Sequence, residues 1–205
     1  MRFIDFSDVQ DFFKGKSVAI VGGGPVNEDH GFIDSHDLVV RINNFKLNEN
    51  TGFRTDVFYS YFGKAIRKTH EELKDVQLCM CKCPHGKIES EWHERTGRLG
   101  SDFHYIYQLR QSWWFCDTYV PGLNHFKAYM DLLDGHIPTT GFSCILDISK
   151  CDCDITIVGF DFFESGLHNL NEPWRKGNPE DPIGHRPIEE RRWVLKHKDR
   201  YDLRI

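Results

Sequence analysis

No stretch of the chain approaches the roughly 18 consecutive apolar residues that a membrane-spanning helix needs, so no spanning segment is expected. The opening residues, MRFIDFSDVQDFFKGK, are acidic and aromatic and lack the apolar core of a secretory leader. Positive charge is not in excess. The 26 Lys and Arg against 31 Asp and Glu leave a formal charge of −5, which argues against a general nucleic-acid binder but leaves room for a local basic pocket for a phosphate. Internal repeats and low-complexity linkers are absent. The seven cysteines lack metal-site spacing. Cys79, Cys81 and Cys83 alternate in LCMCKC, and Cys151 and Cys153 repeat that interval, whereas paired zinc ligands are separated by two residues or more. On a strand the first three share one face. They read as small buried hydrophobes in a reducing compartment.

What is present is enough for one α/β domain over residues 1–205, with 40% hydrophobic residues to build its core. SVAIVGGGP is a strand running into a glycine turn. HDLVVRINN, TDVFYSYF, VQLCMCK, DFHYIYQL and DITIVGFDFF are further apolar runs rich in β-branched or aromatic residues, and YDLRI is a last short strand. GKAIRKTHEELKD, IESEWHERTG, residues 124–133, TTGFSCILDISKC and PIEERRWVLKHKD suit helices, the last with Pro187 in its first turn. Strands alternating with helices predict a single Rossmann-like domain, a mostly parallel sheet with helices on both faces. Ligands of such sheets bind outside the carboxyl ends of the strands. The segments GGGP, RINN, SYF (with Ser60) and GFDFF are therefore expected along one rim. Residues 163–185 follow a strand at that rim with Gly, Pro, Asn, His168 and His185 and no periodicity, so they read as an active-site lid.

Three short motifs bear on chemistry. Gly22, Gly23 and Gly24 let backbone N–H groups approach an anion, or simply make a tight strand-to-helix turn. The dinucleotide fingerprint would need glycine at position 27, which is Asn27, and Pro25 removes one donor. Neither is there a Lys-Ser/Thr pair for a nucleotide P-loop. VVRINNF places Arg41 and Asn43 on one face of a strand ending. A carboxamide both donates and accepts, which suits a base or a sugar hydroxyl, although a turn asparagine is the alternative. Thr139, Thr140 and Gly141 precede a helix, as an N-cap or as an anion site.

Taken in order, these pieces resemble the sialyltransferase superfamily. SVAIVGGGPVNEDHGFIDSHDLVVRINNF…GFRTDVFYSYF is similar to the first motif of the animal-type enzymes, PTTGFSCILDISKCDCDITIVGFDFF to the second and LHNLNE to the third. The last motif is a histidine followed five residues later by a glutamate, here His185 and Glu190. The bacterial enzymes share the plan, including an IGH before the last helix. The resemblance covers residues 17 to about 195 and implies a GT-A-like variant of the α/β fold. It implies an inverting, metal-independent glycosyltransferase that uses no cofactor and takes a CMP-activated sugar, usually CMP-sialic acid, to a glycan acceptor. Carried over, Gly22, Gly23 and Gly24 approach the nucleotide, and Asn43 contacts CMP, with Ser60 on the same rim. Thr139, Thr140 and Gly141 hold cytidine or the donor carboxylate. His168 stands near the leaving phosphate and His185 is the general base.

Three departures are visible. The family often has asparagine where this chain has Gly23. The bacterial tyrosine after G-x-DF is Phe163, which cannot hydrogen-bond a phosphate. The cysteine that joins the first two motifs of the animal enzymes by a disulfide is Ser17 here. That last change, with no anchor or stem in the sequence, leads us to expect a cytoplasmic protein of bacterial or viral type, and the sequence allows a homo-oligomer. A transferase for another CMP-sugar such as Kdo, and a non-catalytic nucleotide- or glycan-binding protein of the same fold, are the rival readings. A nicotinamide-dependent oxidoreductase rests on the glycine turn alone. Trp113, Trp114 and Phe115 offer rings for an acceptor sugar, or for a core or oligomer contact.

Overall fold

The computed structural model describes residues 2–26, 28–62, 66, 68–84, 116–163, 167–168, 172–173 and 184–205. In chain order the elements are β1 (Phe3–Ile4), α1 (Phe6–Phe13), β2 (Ser17–Val21), α2 (His30–Asp34), β3 (Leu38–Ile42), β4 (Val57–Ser60), α3 (His70–Leu73) and β5 (Leu78–Cys81). They continue with β6 (Asp117–Tyr119), α4 (Leu123–Asp131), α5 (Thr140–Ile148), β7 (Asp154–Val158), β8 (Leu167–His168), β9 (Glu172–Pro173), α6 (Pro187–Lys196) and β10 (Asp202–Arg204). Eight strands form one open sheet in the order β1-β6-β5-β4-β3-β2-β7-β10, and every pairing within it is parallel.

Successive side chains of a strand point to opposite faces, and here both faces are buried. Val18, Ile20, Leu38, Val40, Ile155 and Ile157 join a core with Val9 and Phe13 of α1, Phe142, Cys144 and Ile145 of α5 and Val194 of α6. Their neighbours Ala19, Val21, Val39 and Val158 pack instead with Ile33 of α2. A third cluster gathers Phe58, Cys79, Cys81 and Cys83 with Phe126 and Met130 of α4, so the alternating cysteines are buried together as read. One carboxylate is carried into this interior. Asp147 of α5, 1% exposed, accepts from Tyr59 Oη at 2.6 Å, from His125 Nε2 at 2.7 Å and from Tyr129 Oη. A buried charge survives only with such partners, and these tie α5 to β4 and α4.

Several expectations need correction. The helix expected over 63–75 is, among the described residues, a single turn over His70–Leu73. Thr69 caps it and Glu72 reaches back to the Thr69 backbone, a capping box that sets the start later than the apolar pattern suggests. Arg41 does not accompany Asn43 at the rim. It is fully buried, donates from Nε to the Arg54 carbonyl at 2.9 Å, and β3 ends before Asn43. Within the segment 163–185, expected to be irregular, Leu167–His168 and Glu172–Pro173 form a short antiparallel pair. The helix read over 88–97, the strand over 102–109 and the aromatic run Trp113, Trp114 and Phe115 lie outside the described residues.

Candidate active site

Strand order fixes where a ligand can enter. From β2 the chain steps through β3, β4 and β5 toward one edge, whereas from β7 it proceeds to β10 at the other. Adjacent β2 and β7 are thus the switch point of the sheet, and in open α/β sheets ligands bind outside the carboxyl ends of the strands at such a point. The turns that leave them, Gly22–Gly24 and Gly159–Phe163, interlock. Gly22 N–H donates to the Val158 carbonyl and Gly24 N–H to the Gly159 carbonyl, both at 2.8 Å. A Cβ on Gly22 would lie 2.3 Å from the Gly159 oxygen and 2.8 Å from the Phe160 ring. Gly159 has φ +68°, a conformation glycine adopts without strain. Two of the three glycines therefore serve close backbone contact, and their N–H groups are already spent. Gly23, at the exposed tip, is the member of the turn without such a bond among the described residues.

Along the same rim the backbone is unusually strained. Asn43, Phe62, Phe162 and Phe163 all have positive φ, at 51°, 51°, 49° and 63°. Left-handed backbone costs a bulky residue on the order of 1–3 kcal/mol and gathers where function requires it. Asn43 is buried, and its N–H donates to the Tyr59 carbonyl at 3.1 Å. Its Oδ1 accepts from Ser60 Oγ at 3.1 Å and faces the Tyr61 N–H at 3.4 Å, an environment of donors that orients the carboxamide. The Ser60 hydroxyl in turn accepts the Phe62 N–H at 3.1 Å. Asn43 and Ser60 thus form one unit that shapes the ends of β3 and β4. Asp161 supports the turn after β7, accepting the Phe163 N–H at 3.0 Å.

The third part of the site is the start of α5. Thr139 is its N-cap, with Oγ1 accepting the Phe142 N–H at 3.1 Å. The Thr139 backbone N–H donates to Glu190 Oε1 at 2.7 Å and its hydroxyl to Glu190 Oε2 at 2.6 Å. Thr140 and Gly141 follow as the first helical residues, and a Cβ on Gly141 would meet the Phe160 ring at 2.6 Å. One aromatic ring therefore presses on both Gly22 and Gly141. Glu190 is 1% exposed. Burial pushes its carboxyl up to about 7, against the pull of the two Thr139 bonds and of the nearby Lys82 ammonium.

His185 precedes α6 and is half-buried. Its Nδ1 lies 2.8 Å from the Ile137 carbonyl. A carbonyl only accepts, so Nδ1 carries a proton, and whenever the ring is neutral its lone pair is on Nε2. His185 and Glu190, five residues apart, thereby grip Ile137 and Thr139, two residues apart. His168 is placed only by its backbone on β8, opposite Glu172. The role expected for its side chain lies outside the described residues, as does most of the span read as a lid.

The Phe160 ring links Gly22 to Gly141, Asn43 and Ser60 form a second unit, and Glu190 and His185 hold Thr139 and Ile137 at the start of α5. Lys82 was missed. It follows β5 directly, its N–H donates to the Ser60 carbonyl at 3.0 Å, and its side chain is buried with its charge felt at Glu190. The available signal was a lysine at the carboxyl end of an apolar strand, masked by the cysteines around it. Glu190 is legible in the sequence only as the glutamate five residues after His185, and its grip on Thr139 is a tertiary contact.

By sequence, no protein-family model and no curated protein matches the chain. By structure it is similar to the sialyltransferase CstII from Campylobacter jejuni in complex with the substrate analogue CMP-3FNeuAc, at a TM-score of 0.53 and 18% identity over 90% of this chain and 79% of that one. A second structure of CstII, in complex with cytidine-5'-monophosphate, matches at a TM-score of 0.51 and 18% identity, over 93% and 79% of the two chains. The likeness establishes a shared α/β fold.

Proposed function

We propose that this protein is a glycosyltransferase that moves sialic acid, or a related sugar acid, from a CMP-activated donor to a glycan hydroxyl with inversion and without a metal. The observation that carries this reading is the fixed tautomer of His185 beside the start of α5, in a fold shared with CMP-bound sialyltransferases.

The donor would lie across the crevice between β2 and β7, with Gly23 and Asn43 near the nucleotide and the first N–H groups of α5 toward its anionic groups. The acceptor oxygen attacks the anomeric carbon from the side opposite the phosphate. Its proton passes to Nε2 of His185, and the bonding pair of the breaking C–O bond leaves with CMP. Histidine suits this base role because its ordinary pKa, about 6.5, lies near working pH. His168 would stabilise the departing phosphate, and closure of 163–185 over the donor would exclude water. Incubation with CMP-sialic acid and a galactose-terminated acceptor tests the reading: transfer should occur in wild type and persist in EDTA. A nucleotide-binding protein without transferase activity draws on the spent Gly22 and Gly24 donors and on Phe163. Binding of CMP without any release of CMP from CMP-sialic acid would favour it.

A further inference from the structure

Cys79 of β5 and Cys116, which immediately precedes β6, face each other across two neighbouring strands. The register sets Cys79 beside Thr118 and Leu78 beside Asp117, so Cys116 leads β6 in toward its partner. Their Sγ atoms are 3.4 Å apart, although the residues are 37 positions apart in the chain. We propose that this pair is a reversible oxidation site, at which a low-molecular-weight disulfide converts the two thiols into an intramolecular disulfide. Neither sulfur belongs to the proposed transfer site.

Position distinguishes the two sulfurs. Cys79 is buried, whereas Cys116 is only partly buried, so an oxidant in solution meets Cys116 first. The seven thiols also differ in their readiness to ionise. Burial raises Cys81, Cys83, Cys144, Cys151 and Cys153, to about 11 for Cys83 and Cys153 and about 12 for Cys151. Cys116 alone is held below its ordinary value, chiefly by the hydrogen bond with Cys79, while Cys79 is raised by the same bond. The thiolate is the attacking species, and Cys116, the more exposed sulfur of the pair, is the one a dissolved oxidant reaches. A covalent S–S bond of ~2.05 Å requires the sulfurs to approach by about 1.4 Å from their present contact.

With a disulfide RSSR as oxidant, the Cys116 thiolate attacks one sulfur, the R–S–S–R bond breaks, and one RS⁻ leaves with its electron pair. The Cys79 thiol gives its proton to that thiolate or to solvent, attacks the Cys116 sulfur and releases the second RS⁻. Two protein thiols are oxidised, and one RSSR is reduced to two thiols.

The test is oxidised glutathione on the full chain, followed by thiol counting and peptide mapping under non-reducing conditions. Wild type should lose two of its seven thiols without retaining glutathione, yield the crosslinked Cys79–Cys116 peptide pair, and recover both thiols in dithiothreitol. Cys79→Ser should stop at a glutathione adduct on Cys116, and Cys116→Ser should leave Cys79 unmodified. A disulfide mapped to any other pair, a stable glutathione adduct on wild-type Cys116, or no reaction at either cysteine would overturn the proposal. Because wild type alone supplies these outcomes, poor folding of a variant does not shelter it.

Discussion

The carboxylate of Glu190 grips Thr139 twice, accepting its backbone N–H at 2.7 Å and its hydroxyl at 2.6 Å. This contact joins the first turn of α6 to the cap of α5, and its consequences are measurable. The carboxyl is raised to about 7 from an ordinary value of 4.5, first by burial. A carboxyl raised on folding binds its proton more tightly in the native state. Its contribution is full below pH ~4.5 and is lost as pH rises through about 7, where ionisation of the buried group costs on the order of 3 kcal/mol. Urea denaturation of wild type and Glu190→Gln between pH 5 and 8 should show a wild-type decline that the variant lacks. Parallel curves would remove Glu190 as the titrating group.

His185→Ala should leave the fold and CMP affinity close to wild type, because the residue faces the acceptor in the proposed reaction. The transfer rate should fall roughly 10²–10⁴-fold, the usual contribution of a positioned base. The wild-type rate should decline on the acid side as the histidine takes up a proton. His168→Ala should instead weaken donor binding and slow CMP departure. Normal transfer in His185→Ala together with an inactive His168→Ala would reverse the two roles, and normal transfer in both would direct attention to Asp161.

The three glycines of the β2 turn should behave differently from one another. Gly22→Ala sets a Cβ 2.3 Å from a main-chain oxygen that cannot move without β7. It should destabilise by about 1–3 kcal/mol, the usual range for overpacking. Gly23→Ala, at an exposed tip, should change stability little but lower CMP affinity if its N–H meets the phosphate. Thermal unfolding and calorimetric titration of the two variants separate packing from binding. Equal stability loss in both would contradict the interlocked turns.

Cytidine recognition predicts that CMP, and not UMP or GMP, raises the melting temperature, and that EDTA does not abolish the effect. At a ligand concentration of 100 times Kd the stabilisation should approach ~2.7 kcal/mol. Hydrogen exchange of residues 163–185 should slow on CMP addition if they close over the donor; equal exchange with and without CMP would count against a lid.

Asn43→Ala should cost both stability and binding, since the carboxamide supports Ser60 Oγ and the left-handed turn at φ 51°. Asn43→Gly relieves the backbone strain but still lacks the carboxamide. Recovery of stability in the glycine variant without recovery of CMP affinity is the expected result; recovery of both would show that Asn43 acts through its backbone alone.

Much of the architecture was legible from local pattern. SVAIV, LVVRI and DITIV are continuous apolar runs because both faces of a parallel strand are covered, and Pro187 marked the start of α6 because its fixed φ suits a first helical turn. Phe3–Ile4 and Asp117–Tyr119 were not read as strands, since two or three residues carry no periodicity and become strands only by pairing with their neighbours, β1 with β6 and β6 also with β5. The rim itself followed from alternating strands and helices. What the chain alone determined, then, is the sequence of elements and the residues at their carboxyl ends. Strand order, the pressing of Phe160 on Gly22 and Gly141, the grip of Glu190 on Thr139 and the proton on His185 Nδ1 were decided by tertiary structure. Each is a contact between segments distant in the chain, and the physical state of these groups depends on burial and on partners that no local pattern records.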